Sequence, residues 1–243
     1  MMYTANQPLF LGGQIYMWNR YKTSKRLIHM VEAQFTKFGH QSRIQLLNSR
    51  AEPQWIIAPL ESRNFKPIND VYLSDPVRTF ENLEKTLNSL YPKSLGEPEF
   101  IEGLLDTFNS KKFRSLSRIN CAVTDYIWEY LFGGDPEYKT YVSTDIIPVR
   151  DPDPSVWVAQ LGNAIDCKIY LGGQIAKDAY LLPEDFYERG MDFVVQDYTM
   201  QSYSISSKNT SRGVQEWGSG NSYISIIDPL MRLGKEKTLE LLK

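Results

Sequence analysis

The spacing of apolar positions changes along the chain and marks where strands give way to helices. Tyr3–Asn6 has strand character, and Pro8, which lacks a ladder donor, interrupts it. Leu27–Val31 is an apolar run of strand length. Ser42–Leu47 and Trp55–Leu60 follow as two more strands separated by turn residues. Between Val77 and Phe132 the apolar repeat lengthens to three and four residues. Leu83, Leu87 and Leu90, then Ile119, Val123, Ile127 and Leu131, form stripes that a helix brings onto one face. Gly133-Gly134-Asp135-Pro136 stops that stretch.

The second half alternates more regularly. Lys139–Val142 is strand-like. Asp153 offers an N-cap with Pro154 at the first helical position, predicting a helix that runs to Gly162. Cys167–Leu171 reads as a buried strand closed by Gly172-Gly173, and a short helix covers Gln174–Leu181. Another helix starts at Pro183, with Glu184 and Asp185 favouring the positive end of its dipole, and Gly190 ends it. Asp192–Asp197 is the next strand. Strand, helical crossover, strand is the parallel βαβ arrangement. The expected fold is therefore α/β: a mixed, partly parallel sheet with helices on both faces and a helical insertion over 77–133.

Thr199–Ser222 is rich in Ser, Asn, Gly and Gln, and a loop of that length is either functional, as a lid over substrate, or disordered. Tyr223–Leu233 and Glu236–Leu242 are predicted as closing helices. No compositional break marks a linker, so residues 1–243 are expected to form one domain. Leu11-Gly12-Gly13-Gln14-Ile15 recurs as Leu171-Gly172-Gly173-Gln174-Ile175, an echo too short to establish a duplication.

Composition narrows the classes of function. A chain of 243 residues builds its own core without staples. With 27 basic against 29 acidic residues there is no global field to draw in nucleic acid. The start lacks a basic-then-apolar leader, and no run approaches the length of a membrane span, so the expected location is cytoplasmic, without membrane partners. Cys121, Cys167, His29 and His40 are too scattered for a metal site, and no cofactor fingerprint is present.

In open α/β sheets ligands collect beyond the carboxyl ends of the strands. That edge is expected to gather Asn6 and Gln7, then Gly172, Gly173, Lys177 and Asp178, and finally Asp197 and Tyr198. A helix starting after Gly173 would favour phosphate or carboxylate at its N-terminus; the alternative is that the two glycines only make a tight turn. Glu32, Gln34, Lys37, His40 and Arg43 lie close together. Lys37 and Arg43 could hold a phosphate and His40 could move a proton, or the segment is a polar hairpin in water. The basic runs Arg20–Arg26 and Lys111–Arg118 read as solvated faces. Of Trp18, Trp55, Trp157 and Trp217, only Trp217, in the polar loop, is not expected in the core.

Several segments, in order, resemble the WbqC-like family. Asn6-Gln7-Pro8 resembles its His-Gln-Pro opening, and Gln34-Phe35-Thr36-Lys37 with Gln41 and Arg43 is similar to its Gln-Phe-Thr-Lys segment and downstream Arg. Trp55-Ile56-Ile57-Ala58-Pro59, Pro67-Ile68-Asn69-Asp70-Val71 and Ser143-Thr144-Asp145 follow in the family's order. Lys177-Asp178-Ala179-Tyr180-Leu181, Gln196-Asp197-Tyr198 and Ser225-Ile226-Ile227-Asp228 complete the series. Two departures stand out: Asn6 replaces the opening His, and Gly172-Gly173-Gln174-Ile175 replaces a Ser-Gly-Pro-Gly loop.

The resemblance implies biosynthesis of surface polysaccharide or a related secondary metabolite. It implies an acyl or aminoacyl transferase forming an amide on an amine, an amino-sugar nucleotide for instance, from a free or carrier-bound donor. On that reading Asp228 or Asp178 is the base, and Lys37, Arg43 and Lys177 hold phosphate or the oxyanion. Asn6, Gln7 and Gln34 orient the substrate, and Tyr180 and Tyr198 wall the pocket. The alternatives are a non-catalytic protein that senses a sugar nucleotide, and acyl transfer through Cys167 or Cys121.

Overall fold

The computed structural model describes residues 1–61, 65–92, 97–109, 114–199, 202–206, 214–217 and 223–243. The chain divides into two compact units. The first is Met1–Gln7, Asn19–Ala33 and Phe132–Tyr198; the second is Pro8–Trp18, Gln34–Leu131 and Thr199–Lys243. The chain passes between them several times, so no single linker existed in the sequence to be read.

The first unit carries a five-stranded parallel sheet. Its strands are β1 (Met2–Asn6), β2 (Arg26–His29), β5 (Lys139–Val142), β6 (Ile169–Gly172) and β7 (Asp192–Val195), in the order β5-β2-β1-β6-β7. Burial follows that order. Tyr3, Thr4 and Ala5 of the central strand are all buried, so β1 shows no alternation, as expected of a parallel strand covered on both faces. Edge strand β7 alternates exposed and half-buried positions.

Helices α1 (Ile15–Ser24), α5 (Ser143–Ile146), α6 (Pro154–Ala164), α7 (Gln174–Ala179) and α8 (Pro183–Tyr187) occupy the crossovers, and the division between units runs through α1. From β1 the chain proceeds outward to β2 and β5, then returns to β6 and continues the other way to β7. Right-handed crossovers therefore put the two sets of helices on opposite faces. The fold is mixed α/β.

Asp153 caps α6 as predicted, accepting from the amides of Ser155 at 2.8 Å and Val156 at 3.2 Å. The expected stop at Gly162 is corrected: α6 runs on to Ala164. Gly162 is there for packing, because a Cβ at this position would overlap the Tyr3 ring. The Tyr3 hydroxyl donates to the Val158 carbonyl one turn earlier, at 2.8 Å, tying α6 to the central strand.

The second unit contains the hairpin β3 (Arg43–Leu47) and β4 (Pro53–Ile57), and helices α2 (Pro76–Leu90), α3 (Pro98–Asn109) and α4 (Leu116–Phe132), whose last residue begins the next segment of the first unit. The stripes read from spacing are buried: Leu83, Leu87 and Leu90 on α2, and Ile119, Val123, Ile127 and Leu131 on α4. Part of the expected 199–222 loop is a second hairpin, β8 (Tyr203–Ser206) with β9 (Val214–Trp217). The rest of that stretch, 200–201, 207–213 and 218–222, lies outside the described residues, as does 111–113 of the second basic run. The closing helices are α9 (Ile227–Leu233) and α10 (Lys235–Leu241). The first of these does not begin at Tyr223 as expected: Ile224 and Ser225 make isolated β-bridges to Gln45 and Gln14 instead.

Candidate functional site

In the first unit the strand order reverses between β1 and β6, which both end at the same edge. Such a switch point opens a crevice between the chains leaving the two strands. Asn6 closes β1, and its Nδ2 donates to the Tyr21 hydroxyl at 2.8 Å. Its register partner on β2 is His29, which is buried. Gly172 closes β6, and its carbonyl accepts from the Gln196 amide at 2.8 Å. The Gln196 side chain donates in turn to Asn19 Oδ1 at 2.7 Å.

Arg20, read from sequence as part of a solvated basic run, is only 7% exposed. Its guanidinium lies against Gly173, where a Cβ would stand 3.3 Å from Nη1 and 3.5 Å from Nη2. Gly173 is extended, at φ −91° and ψ 153°, so neither the tight turn nor left-handed freedom explains it. Its missing side chain makes room for the cation. The earlier Gly12-Gly13 differs, with φ of +74° and +73°, and the five-residue echo is no structural repeat. Burial raises the Tyr180 phenol above its ordinary range, while the positive charge of Arg20 works the other way. Helix α7 has six residues and no side-chain cap, so its dipole adds little.

Beyond β5, Ser143 is fully buried. Its hydroxyl donates to Glu32 Oε2, and it accepts from the Val31 amide at 3.2 Å. Glu32 Oε1 is buried with no hydrogen-bond partner among the described residues. Lys177 and Asp178 on α7 are exposed, and Asp178 accepts from Gln174 at 2.7 Å. Asp197 is exposed and Tyr198 half-buried just past β7, while Gln7, half-buried, follows β1.

The other expected site residues belong to the second unit. Gln34 and Lys37 are exposed. His40 stacks on Tyr223, with ring centroids 5.2 Å apart, and Arg43 lies over Trp55. Burial holds the His40 imidazole below its ordinary range, a hydrogen bond to the Arg43 backbone opposes this, and the charge of Arg43 adds to the lowering. Trp55 is 37% exposed, which corrects its placement in the core.

Asp228 does not suit the role of a base. It is fully buried, and its carboxylate accepts from Tyr91 at 2.7 Å, Tyr203 at 3.0 Å, the Leu47 amide at 3.3 Å and Arg232 Nε at 3.1 Å. Burial first, then the Asp228 charge, pushes both phenols well above the ordinary tyrosine value. This is a structural hub. Thiol chemistry is equally poorly served. Cys121 and Cys167 are free and buried, and burial raises the Cys167 thiol. Iodoacetamide is expected to label neither cysteine in the folded protein and both after denaturation; rapid native labelling, seen by intact mass, would reinstate the thiol reading.

The WbqC-like family model matches residues 7–240. The chain belongs to the WbqC-like protein family. No curated protein and no solved structure matches it. Four of the segments that resemble WbqC-like motifs share a position in the fold, and the others lie in the second unit. Asn6-Gln7-Pro8 leaves β1, Ser143-Thr144-Asp145 leaves β5, Lys177–Leu181 follows β6 and Gln196-Asp197-Tyr198 follows β7. Because all the strands are parallel, these four segments lie at one carboxyl edge of the sheet. Among the described residues no cluster could hold a metal ion, and no helix is long and apolar enough to cross a membrane.

The sequence reading missed two features: helix α1, and with it Arg20. The signal was weak, because α1 mixes Asn19 and Arg20 with Trp18 and Tyr21, and these polar residues are buried too.

Proposed function

We propose that this WbqC-like protein forms an amide by transferring an acyl or aminoacyl group to the amine of an amino sugar, the sugar carried on a nucleotide. The observation that supports the reading is the convergence of four family-like polar segments on the switch-point edge, beside the buried guanidinium of Arg20. In the reaction the amine nitrogen attacks the acyl carbonyl carbon. An oxyanion forms and collapses, the leaving group departs with the former acyl bond pair, and the nitrogen gives up one proton. Arg20 and Lys177 offer positive charge to the oxyanion or to substrate phosphate. Asn6 and Gln7 orient the acceptor. With Asp228 withdrawn, Asp178 and Glu32 are two of the carboxylates at this edge that can take the proton, and Glu32 Oε1 has no hydrogen-bond partner among the described residues.

The test is incubation with nucleotide-linked amino sugars and acyl-thioester or aminoacyl donors, followed by mass spectrometry for the amide. The exposed Lys177→Ala variant is expected to lose about 100-fold in rate while melting within about 3 °C of the parent, a shift of roughly 1 kcal/mol. Undiminished turnover in Lys177→Ala would remove this site.

A second reading, a non-catalytic sugar-nucleotide binding protein, is favoured by one observation. Asn6 occupies the place of the family's opening His, and its amide, held by Tyr21, cannot carry a titratable proton. Saturable binding without product would establish it.

A further inference from the structure

The outward face of the β3–β4 hairpin in the second unit holds a cluster that the proposed reaction does not use. Arg43 pairs with Ile57 and Gln45 with Trp55 across the ladder, so these four side chains share one face. The opposite face carries Ile44 and Leu46, both buried. On the outward face three rings meet. His40 and Tyr223 are inclined by 30°, Trp55 and Tyr223 by 42° with centroids 5.9 Å apart, and His40 and Trp55 by 17°. Trp55 and Tyr223 are 37% and 46% exposed, so this aromatic shelf is partly open to solvent.

A cation is fixed beside the shelf. The Arg43 guanidinium lies 4.6 Å from the Trp55 centroid and 5.1 Å from that of Phe38, and its Nε donates to the Phe38 carbonyl at 2.9 Å. Held between two rings, it has given up rotamer freedom before any ligand arrives. No carboxylate among the described residues pairs with it. Lys37 lies over the same Phe38 ring at 5.2 Å, adding a second positive charge. One polar atom in the cluster, Gln45 Oε1, is buried without a hydrogen-bond partner among the described residues.

We propose that this shelf is a nucleotide-binding site, with the base stacked on Trp55, Tyr223 and His40 and the phosphate held by Arg43 and Lys37. Flat exposed rings are sequence-tolerant platforms for a base. A neutral sugar would leave the pinned guanidinium without an anion, and a bare phosphate would leave the rings uncovered. The inference does not depend on amide formation in the first unit, since a nucleotide can bind here whatever reaction that unit performs.

Isothermal titration with uridine monophosphate, uridine, inorganic phosphate and glucose 1-phosphate tests it. Uridine monophosphate is expected to bind saturably, and more tightly than the other three. Trp55→Ala should weaken it by about 10- to 100-fold. Arg43→Gln should weaken uridine monophosphate but leave uridine unchanged. Should Trp55→Ala fail to fold, Tyr223→Ala carries the same expectation. Three results overturn the proposal. One is no saturable binding at millimolar nucleotide, and another is glucose 1-phosphate binding as tightly as the nucleotide. The third is nucleotide binding that survives Trp55→Ala and Arg43→Gln but is lost in Arg20→Met, which would move the nucleotide to the first unit.

Discussion

Asp228→Ala is expected to lower the melting temperature by about 10 °C, the largest stability effect of any substitution at the expected site residues. The carboxylate is fully buried and answers the Tyr91 and Tyr203 hydroxyls, the Leu47 amide and the Arg232 guanidinium. Arg232 is itself nearly buried, with 10% of its side chain exposed, and its Nη2 donates to the Leu47 carbonyl at 2.8 Å. Removing the anion leaves a buried cation without compensation and two phenols without an acceptor. Breaking a buried pair costs about 3–5 kcal/mol, and each kcal/mol is worth roughly 2–4 °C in a chain of this length. Differential scanning fluorimetry reads the shift. The double variant Asp228→Leu with Arg232→Met should recover much of the loss, because it removes both desolvated charges together. A normal melting temperature for Asp228→Ala with abolished activity would return Asp228 to the chemistry.

Arg20→Met is expected to produce the opposite pattern: a melting temperature close to the parent's and a loss of product formation or substrate binding of about 100- to 1000-fold. Met keeps the length and apolar bulk of the side chain that packs against Gly173 while deleting the charge. An anion held by the guanidinium fork loses two charge-assisted hydrogen bonds at once. Arg20→Lys keeps the charge without the fork and should retain part of the function, at about 10-fold below the parent. Thermal melts and the same mass-spectrometric assay distinguish the cases. Strong destabilisation with intact activity would make Arg20 a structural cation.

Most elements were legible in the sequence because burial on one face leaves a period. The α2 and α4 stripes were read correctly for that reason, and the start of α6 was read from its Asp153-Pro154 cap. Helix α1 was not, because a segment buried on several sides, with polar residues inside, shows no amphipathic stripe. Trp55 was misplaced in the core: an exposed aromatic on a hairpin has the same composition as a buried one, and only its register against Gln45 shows which face it takes. Asp228 was misread because an acidic residue beside a family-like segment suggests chemistry until its four donors are seen.

The sequence by itself determined the α/β class, the helical stretch near 77–133 and the WbqC-like resemblance, because periodicity and ordered motifs are local properties of the chain. Only the tertiary structure decided the strand order, the burial of Arg20 against Gly173, the withdrawal of Asp228 into a hub and the aromatic shelf beside Arg43. A hydrophobic pattern states that a face must leave water; it does not state which distant segment covers it. The functional character of a charged residue is settled by that covering segment.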